Sequence, residues 1–152
     1  MRKRAFVYLG IAILLSGLIV FTSTNSGAAH SEAGGRIIGW INTYIFNGRL
    51  SQNEQSSIVG IGAKLFGHFS LYLLTGLFSL LFVKELPQKG KNKYMGLISY
   101  GLLLSILGEV IQIFSQGRSP LFSDVLLDFS GFILIPLCLY ILSFEKPQEG
   151  AR

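Results

Sequence analysis

Four long apolar runs restrict the folds that this chain can adopt: residues 5–21, 65–83, 94–114 and 121–144. The hydrocarbon core of a bilayer is about 30 Å thick, so a helix that rises about 1.5 Å per residue crosses it in about 20 residues. Only 14% of the residues are charged and 50% are hydrophobic, which is too few charges for the surface of a soluble domain. We therefore predict an all-α fold, in which residues 1–152 form a single integral membrane domain with a bundle of four transmembrane helices.

Basic residues are concentrated at both termini and in the loop after the second run. Nine of the thirteen Lys and Arg residues lie there: Arg2, Lys3, Arg4, Lys84, Lys89, Lys91, Lys93, Lys146 and Arg152. Cytoplasmic loops of membrane proteins carry such an excess of positive charge. The pattern predicts cytoplasmic N- and C-termini and an external loop over residues 22–63. It is not a basic groove interleaved with aromatic residues, so nucleic-acid binding is excluded.

The first apolar run has a second interpretation, as a cleaved signal peptide with a cut near Ala28 and Ala29. The apolar part of a signal peptide spans about 7–15 residues, and this run is longer. A transmembrane helix is therefore favoured. The orientation of the other three helices is the same under both interpretations.

The loop over residues 22–63 contains a helical pattern of its own. Apolar residues recur at the spacing of one helical face, namely Ile37, Trp40, Ile41, Tyr44 and Ile45, and Gly48 is a plausible end for this helix. The pattern predicts an external amphipathic helix. Its apolar face would lie at the level of the lipid headgroups or pack over the outer end of the bundle, and both interpretations stay open. Ser51 and Glu54 fit a capping box that starts a further helical turn.

Polar residues interrupt three of the four runs at helical spacing. The second run contributes Lys64, His68 and Tyr72, the third Ser105, Glu109, Gln112 and Gln116, and the fourth Asp124, Asp128 and Gly131. Gly117 suits the end of the third helix, and Ser119 and Pro120 suit the N-cap and first position of the fourth. With the predicted orientation, all these groups lie in the outer half of the membrane.

Charged side chains inside a bilayer are costly, at about 2.5–3.5 kcal/mol each at the centre on insertion scales. These groups should therefore face one another rather than lipid. The two cations Lys64 and Arg118 nearly balance three carboxylates, those of Glu109, Asp124 and Asp128. We predict one compensating polar cluster beneath the external loops.

The spacing of the polar residues resembles the signature of the VanZ-like family. One block reads Glu109-x-x-Gln112-x-Phe114-x-x-Gly117-Arg118-x5-Asp124-x3-Asp128-x-x-Gly131, and the other contains Lys64, His68, Phe69 and Tyr72. The chain lacks four residues that are frequent in the family. Ala63 stands in place of Arg, Leu71 in place of an acidic residue, Gly108 in place of Asp and Ile111 in place of His. The resemblance implies a small polytopic protein of the bacterial cell membrane. The founding member of the family is linked to low-level resistance to teicoplanin.

The predicted cluster has two interpretations, an ion-pair network that sets helix packing or an outward-facing binding pocket. The ligand-binding candidates are Lys64, His68, Tyr72, Glu109, Gln112, Arg118, Asp124 and Asp128. Arg118 would grip a phosphate or carboxylate, because its planar fork suits these groups. His68 and Glu109 are the candidates for acid–base catalysis. A metal centre of His68 with the three carboxylates is a further alternative, but neither HExxH nor a paired-His motif is present, and we expect neither a metal nor a cofactor.

The predicted cluster is compatible with three functions. The favoured one is a non-enzymatic envelope protein that binds an anionic or lipid-linked cell-wall ligand at the outer leaflet and alters susceptibility to glycopeptides. The second is a membrane-embedded enzyme that acts on a phospholipid or cell-wall lipid. The third, a proton-coupled transporter, is disfavoured because a relay would need polar groups in the inner half as well. Apart from membrane lipids and this ligand, no partner is indicated, and the oligomeric state is not predicted.

Overall fold

The chain folds into helices that account for most of its length. The computed structural model describes residues 3–24, 27–87, 92–115 and 120–144. The helices are α1 Lys3–Thr24, α2 Gly27–Tyr44, α3 Gln52–Gly62, a π-helical segment Ala63–Phe69, α4 Ser70–Glu85, α5 Asn92–Gln112 and α6 Phe122–Phe144. The described ranges contain no strand. The predicted all-α class is confirmed.

Four helical stretches are long and apolar enough to cross a membrane: Lys3–Thr24, Gln52–Glu85, Asn92–Gln112 and Phe122–Leu142. Each overlaps one predicted run, so the four-span plan is confirmed. The second stretch has 34 residues, about 50 Å of helix, which exceeds the hydrocarbon thickness. The predicted loop over residues 22–63 is thus mostly helical, and α3 continues directly into the second span.

Helix α4 lies at the centre of the bundle, where it packs against α1, α5 and α6. It approaches α6 closely at Gly76, which faces the backbone of Phe132. The Phe132 ring is fully buried and packs against Gly101 of α5. Small residues allow membrane helices to approach closely, and dispersion contacts then hold them together. Phe132 with these two glycines therefore joins α4, α5 and α6.

We expect Gly76→Ala to destabilise the protein by about 1–3 kcal/mol, the usual cost of overpacking a core. An added methyl group would overlap the backbone carbonyl of Phe132, which cannot move without shifting α6. The thermal unfolding midpoint in detergent measures the loss. Gly96→Ala is the matched control, because the space beside Gly96 is open. Equal midpoints for the two variants would contradict this packing.

Helices α2 and α3 form a hairpin outside the bundle and pack mainly against each other. The Asn42 side chain fixes the turn between them, since its amide donates to the Leu50 carbonyl at 3.2 Å and its oxygen accepts from the Leu50 N–H at 3.0 Å. The capping box is present, with the Ser51 N–H donating to Glu54 at 2.8 Å. It starts a helix of eleven residues rather than one turn.

The apolar pattern in α2 faces away from the bundle. Three of its side chains, Ile37, Trp40 and Tyr44, are 60–68% exposed. The alternative in which this face packs over the bundle end is therefore wrong. Helix α2 also ends at Tyr44, four residues before the predicted stop at Gly48, which instead lies in the turn with φ +73°.

Candidate functional site: a buried polar cluster at one end of the bundle

Polar side chains from four helical elements meet at the bundle end where α5 ends and α6 begins. We call them the polar cluster: His68 from the π-helical segment, Tyr72 from α4, Ser105, Glu109 and Gln112 from α5, and Asp128 from α6. Five of the six are buried, and His68 is half-buried. The exposed fractions of Glu109 and Asp128 are only 4% and 2%. Two carboxylates are therefore enclosed within a bundle whose outer surface is apolar.

The π-helical segment brings His68 to this end of α6. Segments of this type contain an extra residue per turn and occur frequently at functional sites. Gly131 of α6 faces the Phe69 carbonyl, where an added Cβ would come within 2.8 Å of the oxygen. Because Gly131 has no side chain, α6 approaches the segment closely. Asp128, one turn earlier on α6, then lies beside His68.

Asp128 interacts with two neighbours from the second span. Its Oδ2 lies 3.8 Å from His68 Nδ1, within ion-pair range but longer than a direct hydrogen bond. The Tyr72 phenol interacts with the side chains of Asp128 and Ser105. A carboxylate beside an imidazole can orient the ring, which is a common arrangement around functional histidines.

Tyr72 anchors the cluster to α5. Its hydroxyl donates a hydrogen bond to the Leu104 carbonyl at 3.1 Å. Gly108 makes room for that hydroxyl, because a Cβ there would lie 2.6 Å from Tyr72 Oη and 3.6 Å from Ser23 Oγ. At this position, where the VanZ-like pattern often has Asp, a side chain would point at the Tyr72 hydroxyl and Ser23.

Glu109 ties the end of α5 to the start of α6. Its Oε1 accepts a hydrogen bond from Gln112 Nε2 at 2.5 Å, and its Oε2 accepts one from the Leu121 N–H at 3.1 Å. Backbone N–H groups at a helix start need such acceptors, and the local helix dipole favours a negative charge there. Glu109 therefore acts as an N-terminal cap for α6 that is supplied by another helix.

This contact corrects the predicted start of α6. The first helical carbonyl is that of Leu121, which accepts from the N–H groups of Asp124 at 2.9 Å and Val125 at 3.3 Å. Pro120 precedes the helix and is not its first residue, and the predicted N-cap Ser119 lies outside the described residues. A capping side chain from another helix cannot be recognised from local sequence.

Helix α1 contributes a serine, Ser23, that the sequence analysis missed. The Ser115 hydroxyl donates to the Ser23 carbonyl at 2.9 Å, which joins the ends of α5 and α1. The Ser23 hydroxyl is fully buried and has no hydrogen-bond partner among the described residues. It faces the space beside Gly108 and the Tyr72 hydroxyl. Ser23 lies beyond the predicted first span of residues 5–21, and nothing in its local sequence indicates that it is buried beside the cluster.

Of three further residues predicted for the site, the structure places the side chain of one, Asp124. Asp124 is half-buried in the first turn of α6 and accepts a hydrogen bond from Ser123 Oγ at 3.4 Å. The side chain of Lys64 and the whole of Arg118 lie outside the described residues. The predicted charge balance between these two cations and the three carboxylates therefore stays a prediction.

The described residues contain no group of three or more His, Cys, Asp or Glu side chains arranged to hold a metal ion. The alternative of a metal centre built from His68 and the three carboxylates thus receives no geometric support within this part of the chain.

Comparison with known proteins gives one match. The sequence model of the family described as VanZ/LLP1 matches residues 6–143, nearly the whole chain. No curated protein and no solved structure matches the chain.

Proposed function

Because the chain belongs to the VanZ/LLP1 family, we propose that it is a multi-pass protein of the bacterial cell membrane that binds an anionic or lipid-linked ligand at the outer leaflet. The polar cluster is the proposed binding site. The observation that carries this proposal is the burial of Glu109 and Asp128 together at one end of an apolar bundle. Ionisable groups inside membrane spans are rare and usually functional.

The charge distribution supports an outward-facing cluster. Lys3 and Arg4 begin α1 and Lys84 lies in the last turn of α4, at the end of the bundle opposite the cluster. Nine of the thirteen basic residues belong to that opposite end by sequence. Because positive charge is enriched on the cytoplasmic side, both termini are cytoplasmic in this proposal and the cluster opens towards the outer leaflet.

Binding accounts for the cluster better than packing alone. Well-packed apolar residues often stabilise a protein as much as a buried ionic network does, so packing by itself does not require two buried carboxylates. The buried Ser23 hydroxyl, which finds no hydrogen-bond partner in the part of the chain that the structure describes, also supports binding, because an unsatisfied buried polar group costs about 1–3 kcal/mol. A ligand that donates to or accepts from Ser23 would recover that energy.

In the proposed site, Arg118 and Lys64 supply the positive charge that an anionic ligand needs. A guanidinium can make two parallel hydrogen bonds to a phosphate or carboxylate. Asp128 and Glu109 act as positioning residues that hold His68, Tyr72 and the start of α6. A lipid-linked cell-wall precursor presents phosphates at this depth. Binding of such a precursor would alter the susceptibility of the cell to glycopeptides such as teicoplanin.

Arg118→Gln tests the proposal. We expect it to lower the anionic lipid that co-purifies with the protein by about tenfold or more, because a charge-assisted hydrogen bond contributes about 1.5–3 kcal/mol and 1.4 kcal/mol is tenfold in affinity. Mass spectrometry of the bound lipids and teicoplanin susceptibility of expressing cells are the readouts.

Two variants sharpen this test. Arg118→Lys keeps the charge but loses the planar fork, so an intermediate loss is expected. Arg36→Gln is the matched control, because Arg36 is exposed and pairs with Glu32 on α2. Unchanged lipid binding in Arg118→Gln, at normal abundance, would refute the assignment of the ligand site.

The neighbouring His68 and Asp128 favour a second candidate, an enzyme acting on a phospholipid or cell-wall lipid. A carboxylate that orients a histidine is the usual support for a general base. In this candidate His68 moves a proton, with Glu109 as the second acid–base group. Conversion of a supplied phospholipid by the purified protein, abolished in His68→Gln, would distinguish an enzyme from a binding protein.

A further inference from the structure

The α2–α3 hairpin is an antiparallel pair with well-defined partners. Gly34 of α2 faces the Val59 side chain of α3, and Asn42 bonds to the Leu50 backbone nearer the turn. Both contacts lie on the same side of α2, since Gly34 and Asn42 are eight residues apart, about two turns. They define the face on which the two helices pack.

One flank of the hairpin is apolar along both helices. Counting 100° per residue from the packed face places Ile37, Trp40 and Tyr44 on one flank of α2. The equivalent count from Val59 places Ile58 and Ile61 on one flank of α3. Because the helices are antiparallel, these two sets lie on the same side of the hairpin. All five side chains are exposed, by 42–68%.

A polar flank adjoins the apolar one on both helices. The same count places Glu32, Arg36 and Thr43 of α2 about 90° further round the helix, with Asn53 and Ser57 in the equivalent position on α3, and all five are exposed. Glu32 and Arg36 pair with each other across one helical turn. The hairpin as a unit is therefore amphipathic across its width, and neither flank is covered by the bundle.

Both ends of the hairpin are joined to membrane spans. Helix α2 begins three residues after α1 ends, and α3 passes through the π-helical segment into α4. Phe66, in that segment, is 84% exposed, so an apolar surface continues from the hairpin to the second span. Tryptophan and tyrosine are enriched at the membrane–water interface, where amphipathic rings are favoured.

We propose that the α2–α3 hairpin lies flat on the bilayer, with its apolar flank immersed in the headgroup layer and its polar flank in water. The lipid surface of the protein's own membrane is the partner. This contact covers the apolar side chains of both helices that the rest of the described chain leaves exposed. The inference does not depend on a ligand in the polar cluster.

The single tryptophan of the chain, Trp40, reports on this contact directly. The full-length protein is reconstituted in phosphatidylcholine vesicles that contain lipids brominated near the headgroup or near the chain end. Interfacial helices bury their apolar face by about 5–10 Å. We expect strong quenching by the shallow bromines, weaker quenching by the deep ones and little quenching by aqueous acrylamide.

A matched variant carries the indole on the side of α2 away from the apolar flank, Gly35→Trp in a Trp40→Phe background. Gly35 lies five residues from Trp40, about 140° around the helix, is exposed, and has open space beside it. If the hairpin lies flat, the variant is quenched by acrylamide, and its shallow-bromine quenching is roughly twofold or more below that of Trp40, because only one face of an interfacial helix enters the lipid.

Two outcomes would overturn the inference. Quenching of both indoles by acrylamide alone would mean that the hairpin stands free in water. Protection of Trp40 from both quenchers, lost when the protein is diluted into excess lipid, would mean that a second copy of the chain covers the apolar flank. Circular dichroism of the variant verifies that the hairpin still folds.

Discussion

Glu109→Ala is expected to lower the free energy of unfolding by about 2–4 kcal/mol, since it removes a charge-assisted hydrogen bond and the cap of a helix. The change leaves the Leu121 N–H without its acceptor and the buried Gln112 amide without its partner. The start of α6 should fray first. Thermal unfolding in detergent measures the loss, and hydrogen exchange of the first turn of α6 locates it.

Two variants separate this capping role from a general effect of charge. Glu109→Gln keeps an oxygen that can accept from Leu121, so we expect less than half of the loss. Glu32→Ala removes an exposed carboxylate whose ion pair contributes little, so stability should be unchanged. A Glu109→Ala protein as stable as the wild type would show that the carboxylate does not hold α5 and α6 together.

Asp128→Asn should reduce ligand binding by about ten- to a hundredfold, because a hydrogen bond to a charged group contributes about 1.5–3 kcal/mol. The amide has the shape of the carboxylate but lacks the charge that faces His68 at 3.8 Å and the Tyr72 phenol. Both neighbours lose the group that positions them. Co-purified anionic lipid, quantified per mole of protein, is the readout.

The same variant distinguishes binding from packing when unfolding is measured beside it. If binding falls while the unfolding midpoint changes little, Asp128 positions the ligand site. If both fall in parallel, or if abundance in the membrane collapses, the cluster acts as a packing network and the proposed site is wrong. Asn53→Ser, on the exposed polar flank of the hairpin, should change neither quantity.

The cluster combines two roles in separate residues. Glu109 has a structural partner on each carboxylate oxygen, Gln112 on one and Leu121 on the other. Asp128 instead lies between His68 and Tyr72, side chains that can donate to a ligand. Because of this difference, we expect Glu109→Ala to lose stability and Asp128→Asn to lose ligand binding.

Much of the architecture could be predicted because it depends on local properties. The length of an apolar run determines whether a helix can cross a bilayer, and the four spans follow from that alone. Helical spacing also indicated which polar residues share a face, such as Glu109 and Gln112. The capping box of Ser51 and Glu54 is equally local, since four consecutive residues contain both partners.

Other features depend on contacts between distant segments. The start of α6 was misplaced because its cap comes from Glu109, twelve residues away on another helix. The spacing of Lys64, His68 and Tyr72 predicts a stripe on an α-helix, whereas residues 63–69 form a π-helical segment. Ser23 appeared unremarkable, because its burial results from the packing of α1 against α4 and α5.

The sequence by itself determined that this chain forms membrane-spanning helices and which of its polar residues enter them, because both follow from hydrophobicity counted along one helix. Only the tertiary structure decided which polar groups meet. Gly76 and Gly131 allow α6 to approach α4 and the π-helical segment closely, and that approach brings Asp128 to His68. Periodicity reports the faces of single helices, whereas their rotation and distance are set by the packing of all of them together.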